Sequence, residues 1–266
     1  MKAASSQFGS LPPSRRKILG SLREKIRRLE QGVKGFEEGV RKSKGVPLGL
    51  AEIDAALPWG GLPLAGMHEV IADGQGGQAF NGAAMGFVVF LVSRFSQTKG
   101  VVLWCRRGDR SSDRLYGPGL SDLGLSPERL VVVRGQSDSD VLWAMEEGLR
   151  SPGLVAVLGE VDRISLTGSR RLQLASEAGA TAGFLLRPQQ KVLAASTVLT
   201  RWRIAATRGA GDVPRSAWEV ELLRCRYRAS GAALRWRVEE DHETGTFRVA
   251  ADVLHRKMET SARLVG

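Results

Sequence analysis

Hydrophobic and polar positions change rhythm twice along the chain. Residues 1–13, with Ser, Gly and a Pro-Pro pair, have no periodicity and read as disordered. From Ser14, a candidate cap, Leu19, Leu22, Ile26, Leu29 and Val33 alternate spacings of three and four, which predicts a helix to about residue 33 with a short apolar seam. Residues 35–45, rich in Gly, Lys and Glu, read as a linker. Then short apolar runs alternate with longer helical patterns. Strands are predicted at 67–71, 101–105, 130–134, 154–158, 182–187 and 201–206. Helices are predicted at 78–97, 138–150, 168–179 and 189–199, with a shorter one near 119–125. This alternation implies an α/β fold with a mostly parallel, doubly wound sheet. The helix at 78–97 is apolar nearly all round and is expected to be buried against the sheet.

Beyond residue 214 the period becomes two. Segments 218–228, 232–239 and 246–250, joined by short turns, predict an antiparallel meander that closes the sheet. The expected organisation is a basic N-terminal helix and linker (1–45), a core (46–250) and a flexible tail (251–266).

Charge sharpens this division. The chain of 266 residues carries a formal +11, and residues 1–44 supply +8 of it, with twelve Lys/Arg against four Glu. Such an appendage suits an acidic partner, nucleic acid first. The seam at Leu19, Leu22, Ile26 and Leu29 suits docking on a protein partner or a second copy; the alternative is a solvated helix packed on its own domain. Cys105 and Cys225 have no metal or disulfide spacing and read as buried thiols in a reducing cytoplasm. No apolar run is long enough to span a bilayer, and no secretion signal is legible.

The candidate chemistry begins after the first core strand. Residues 74–77 form a glycine-rich loop between strand and helix, the construction that cradles phosphate. A phosphate loop also needs Lys for the β- and γ-phosphates and a hydroxyl for Mg²⁺. Counted from Glu69, those positions hold Gly77, Gln78 and Ala79; a second register offers Ala83 and Ala84. Neither supplies the cation or the hydroxyl. The second strand ends in Arg106 and Arg107, where an ATPase would carry an acid. In the fourth strand, Leu158 and Gly159 stand at the turn before Glu160, which reads as a helix-entry charge. No catalytic residue, cofactor or metal site is expected. His68 reads as a hydrogen-bonded structural residue, and residues 241–243 read as a turn.

Arginine recurs at period two. Arg224, Arg226 and Arg228 alternate with apolar residues, as do Arg235 and Arg237, and Arg201 and Arg203 flank Trp202. Alternation places them on one face, suited to DNA phosphates. The alternative is a solvated face partly neutralised by Glu219, Glu221, Glu239 and Glu240.

Residues 48–70 resemble the entry into the ATPase core of RecA-type recombinases. Residues 159–178, with Arg170-Arg171-Leu172-Gln173-Leu174-Ala175, joined to Arg201-Trp202-Arg203 and Leu222-Leu223-Arg224-Cys225-Arg226, make the match more specific. Over residues 46–250 the chain resembles the ImuA family, RecA-like accessory proteins of the bacterial SOS mutagenesis cassette. The resemblance implies a non-catalytic adaptor in translesion synthesis. Its implied partners are ImuB, a polymerase-like protein without catalytic activity, and an error-prone replicative-type DNA polymerase. Competing readings are an ATP-independent DNA-binding protein of recombination and a cryptic ATP-dependent recombinase regulator.

Overall fold

The computed structural model describes residues 43–73, 82–96, 100–108, 115–189, 195–208, 216–228, 233–241 and 246–250. The predicted N-terminal helix, its seam at Leu19, Leu22, Ile26 and Leu29, most of the linker and the tail at 251–266 lie outside these residues.

The described residues from Lys44 onward form one packing unit. It opens with a clasp in which Val46 bridges Leu62 and the Gly45 N–H donates to the Trp59 carbonyl at 2.8 Å. Helix α1 (Ala51–Ala56) follows. The Asp54 carboxylate accepts the N–H groups of Leu48 and Gly49 at 2.8 and 3.0 Å and so fixes the turn that leads into α1.

The core elements then run β1 (Gly66–Ala72), α2 (Gly82–Ser96), β2 (Val101–Arg107), α3 (Gly117–Asp122), β3 (Leu130–Gly135), α4 (Asp138–Leu149), β4 (Leu154–Glu160), α5 (Leu166–Gly179) and β5 (Ala182–Pro188). Strands β6 (Thr200–Arg208), β7 (Ser216–Cys225), β8 (Leu234–Asp241) and β9 (Thr246–Val249) complete a nine-stranded sheet of order β3-β2-β4-β5-β1-β6-β7-β8-β9. Strands up to β6 pair in parallel; β7, β8 and β9 add antiparallel. The predicted α/β class and the closing meander are both present.

Helix α2 covers one face of the sheet. Its Phe87 and Phe90 meet Trp202, Trp218 and Phe247 in a continuous aromatic cluster, with Trp218 stacked on Phe247 at 4.6 Å. The other face is covered by α4 and α5 over Met67, Leu103, Val157 and Leu185. Both helices are capped as their sequences indicate. Ser137 and Asp140 form a reciprocal capping box on α4, and the Ser165 hydroxyl accepts the Gly168 N–H on α5.

Two predicted elements require correction. No helix occupies the described part of 189–199: Gln189 and residues 195–199 are non-helical, and 190–194 lie outside the described residues. The β-branched Thr197 and Val198 favour extended backbone. Ser196 and Thr197 bond the Ser169 hydroxyl, and the Leu199 N–H donates to the Met67 carbonyl at 2.8 Å, which lays this segment along β1. The strand predicted to run to residue 228 ends at Cys225, because Tyr227 turns the chain with φ of 67°. Tyr227 packs edge-on against Trp59 at 6.1 Å, which offsets the strain of that conformation.

Candidate functional site

In an open parallel sheet, ligands bind at the carboxyl ends of the strands, where neighbouring connections leave on opposite faces. Here β1 leads to α2 on one face, while β4, on the far side of β5, leads to α5 on the other. The glycine-rich loop departs from this edge. Gly77, Gln78 and Ala79 themselves lie outside the described residues.

What the edge holds is a set of closed ion pairs. Met67 and Leu185 belong to the core under α4 and α5, so Glu69 and Arg187, each two residues on, face the same way. Glu69 is fully buried and receives Arg187 Nη1 at 2.6 Å and Arg201 Nε on its other oxygen. Arg201 is therefore a core residue, not part of a solvated arginine face.

On the α2 face, Glu160 accepts from Trp104 Nε1 at 2.7 Å and from Arg106 Nη2 at 3.4 Å, and all three side chains are buried. This corrects the helix-entry reading: Glu160 ends β4 inside the protein, and α5 begins six residues later behind its own Ser165 cap. The basic residue after the second strand is its counter-charge. Gly159 is as constrained. A Cβ built there would lie 2.0 Å from Met145 Sδ, so no carboxylate fits at that position without displacing the core. The outer pair of acids, Asp138 and Asp162, is bridged by Arg107 at 3.9 and 3.6 Å.

The candidate DNA-binding arginines lie elsewhere. Arg224 and Cys225 pair with Arg201 and Thr200 at the start of β6, so Arg224, Arg226 and Arg228 sit at the amino end of the parallel sheet. Arg224 is level with Glu69, three residues (about 10 Å) before the end of β1, and the turn that carries Arg226 and Arg228 lies further from the edge where the glycine-rich loop starts. Arg226 and Arg228 have left the strand for the turn after Cys225, so the period-two alternation does not extend to them. Arg224 is exposed and donates to the Ser196 carbonyl at 2.5 Å, and Arg226 lies over the Tyr227 ring.

Arg235 and Arg237 do share the face of β8 opposite Trp236, together with Arg203 of β6. They are interleaved with acids: Arg203 and Arg235 both reach Glu221 at 2.9 and 3.5 Å, Arg235 also meets Glu219 at 2.7 Å, and Arg237 meets Glu239 at 2.9 Å.

His68 is buried in β1, with Nδ1 2.9 Å from the Thr200 hydroxyl oxygen, which also accepts Trp202 Nε1 at 2.8 Å. Burial pushes its pKa down to about 4, opposed by the Pro63 carbonyl. Burial likewise pushes Cys105 up to about 12 and Cys225 up to about 11, so both thiols stay protonated at neutral pH. Among the described residues no group of His, Cys, Asp or Glu could hold a metal ion, and no helix is long and apolar enough to cross a membrane.

The 159–178 stretch, one part of the family resemblance, now has a structural account. Gln173 Oε1 and Ser176 Oγ accept the first N–H groups of β1, from Met67 at 3.0 Å and Gly66 at 2.6 Å. Arg171 ties α5 to Glu146 of α4.

Comparison with known proteins decides the family. A stretch of 237 residues, 82% of this chain, is 34% identical to Protein ImuA of Caulobacter vibrioides (strain NA1000 / CB15N) and covers 94% of it. The chain belongs to the ImuA family. Protein ImuA of a second Caulobacter vibrioides strain, ATCC 19089, gives the same figures. A shorter stretch of 94 residues, 35% of the chain, is 31% identical to the Cell division inhibitor SulA of Edwardsiella piscicida and covers 54% of it. No family model matches the chain.

Proposed function

We propose that this member of the ImuA family is a non-catalytic, RecA-like adaptor in damage-induced translesion synthesis, the SOS mutagenesis response, in the bacterial cytoplasm. It acts through protein partners: an ImuB-type polymerase-like protein and an error-prone replicative-type DNA polymerase. The RecA-like reading is supported by a central β1 that leads through a glycine-rich loop into a buried helix on a mostly parallel sheet. The SOS reading is supported by membership of the family, and the match to a SulA protein points the same way.

The observation that carries the non-catalytic part is the state of Glu160. An acid that holds a metal-bound water at the end of a strand needs a lone pair facing the nucleotide. Glu160 instead faces Trp104 and Arg106 in the interior. With Gln78 and Ala79 in place of Lys and a hydroxyl, neither side of a nucleotide site is supplied. Titration calorimetry with Mg-ATP is therefore expected to give no micromolar site. Gln78→Lys with Ala79→Thr is expected to leave turnover absent, because Glu160 stays engaged. A saturable heat signal in the wild type, or hydrolysis in the double variant, would contradict the reading.

A further inference from the structure

Helices α4 and α5 lie level and side by side. At their starts, Asp138 Oδ2 accepts the N–H groups of Asp162 and Arg163 at 3.1 and 2.9 Å. At their ends, Gly179 sits directly against Leu149: a Cβ on Gly179 would be 2.0 Å from the Leu149 carbonyl oxygen. Between these points Arg171 is paired with Glu146. The two helices therefore present one continuous outer face.

That face is unusually apolar for a surface. Trp143 of α4 is 64% exposed, and Leu166 and Leu174 of α5 are 53% and 46% exposed. Leu166, Arg170 and Leu174 recur at spacing four, so they form a single stripe along α5. Trp143 stands three residues before Glu146, the residue that reaches α5, so it rises beside that stripe. Leu172, Gln173, Ala175 and Ser176 face inward, which leaves the stripe with no role in the core. An exposed Trp beside leucines and arginine has the composition of an interface centre.

Charge points to the occupant. Glu147, one turn beyond Trp143, gives the α4 side an acid that is 57% exposed; its pairing with Arg150, at 3.7 Å between two exposed side chains, is a weak one. The α5 side carries the exposed Arg170 between its two leucines. A two-fold axis sets a patch against itself, so α4 of one copy can lie over α5 of the other when the two carry opposite charges. They do. Nucleic acid would meet Arg170 and Arg171 here, but Arg171 is tied to Glu146 and the rest of the face is Glu147, Trp143 and two leucines, a poor match for phosphate.

We propose that the α4–α5 face pairs with a second copy of this chain, with Trp143 set against Leu166 and Leu174 and Glu147 set against Arg170. Helices of 12 and 14 residues span about 18 and 21 Å, so the paired face covers roughly 400 Å² per copy. That is at the small end for protein association and implies a dimer that forms and dissociates with concentration. The inference stands apart from the adaptor reading, since it uses neither the nucleotide edge nor the family.

Sedimentation equilibrium of the full chain tests it, over a range from about 1 μM to a few hundred μM. A monomer–dimer equilibrium is expected, weakened about tenfold or more by Trp143→Glu with an unchanged melting curve. Glu147→Arg and Arg170→Glu, both at exposed positions, should each weaken the dimer, and the two together should restore it. A wild type that stays monomeric throughout overturns the proposal. So does a dimer indifferent to these charge changes, or a double variant that recovers nothing. Monomers whose binding to single-stranded DNA is lost in Trp143→Glu would assign the face to nucleic acid instead, which also overturns it. If Trp143→Glu lowers the melting temperature, the charge-exchange series decides alone.

Discussion

The indole of Trp104 donates to Glu160 over 2.7 Å inside the protein, on the strand pair β2–β4 where an ATPase of this architecture would face its nucleotide. Arg106 closes the same carboxylate from the next outward position on β2. The acid that ends this apolar strand is a structural corner. The neighbouring corner repeats the device, with Glu69 held between Arg187 and Arg201.

A structural corner should respond to mutation through stability. Glu160→Gln keeps an acceptor for Trp104 but removes the negative charge that faces the buried Arg106 guanidinium. Breaking a buried pair in this way typically costs about 3–5 kcal/mol. Replacing both partners, Arg106→Met with Glu160→Gln, should recover most of that loss. Urea denaturation measures both, and an unchanged midpoint for Glu160→Gln would count against the structural role.

His68 makes stability depend on pH in a defined window. Its folded pKa is about 4 against 6.5 for the unperturbed residue, so between these values the unfolded chain binds more protons. Stability should therefore fall as pH drops from 6.5 towards 4, by up to about 3 kcal/mol from this residue, and lose no more from it below. His68→Leu should remove this component while Thr200 and Trp202 keep their own hydrogen bond. Denaturation series on both proteins at pH 7, 5.5 and 4.5 isolate the difference; parallel curves would show that His68 titrates normally.

If DNA is bound, it should be held by the arginines at the end of β7 and in the turn after it. Each phosphate neutralised on duplex DNA adds about 0.9 to the log–log salt slope. Arg224, Arg226 and Arg228 changed together to Ala should flatten the slope. Arg235 and Arg237, already facing Glu219, Glu221 and Glu239, should change it far less when replaced. Fluorescence anisotropy against salt concentration separates the two sets, and equal effects would return the contact to the β8 face.

Much of the fold was legible because the sheet strands are apolar runs and their helices carry ordinary signals, such as Ser137 before α4 and Asp140 in its first turn. The segment at 195–199 was not. Its apolar positions fit a helix as well as a strand, and what decides is a tertiary bond from Leu199 to β1. The end of β7 was hidden for a similar reason: Arg226 to Arg228 continue the alternation in sequence, while Tyr227 turns the backbone to reach Trp59. At the candidate site, the absent Lys and hydroxyl could be read directly. The partners of Glu69 and Glu160 could not, because Arg187 and Arg201 are more than a hundred residues from Glu69 in sequence. A signal was present nonetheless: a carboxylate within an apolar strand such as β1 requires a counter-charge somewhere in the fold.

Under the adaptor proposal, this core works through a protein partner without nucleotide. Purified chain and an ImuB-type protein, mixed without ATP and resolved by size-exclusion chromatography with light scattering, test it most directly. A stoichiometric complex whose elution is unchanged by Mg-ATP is expected. Leu22→Asp with Ile26→Asp is expected to abolish that complex at an unchanged core melting temperature. A complex that forms only with Mg-ATP, or no complex under either condition, would contradict the proposal.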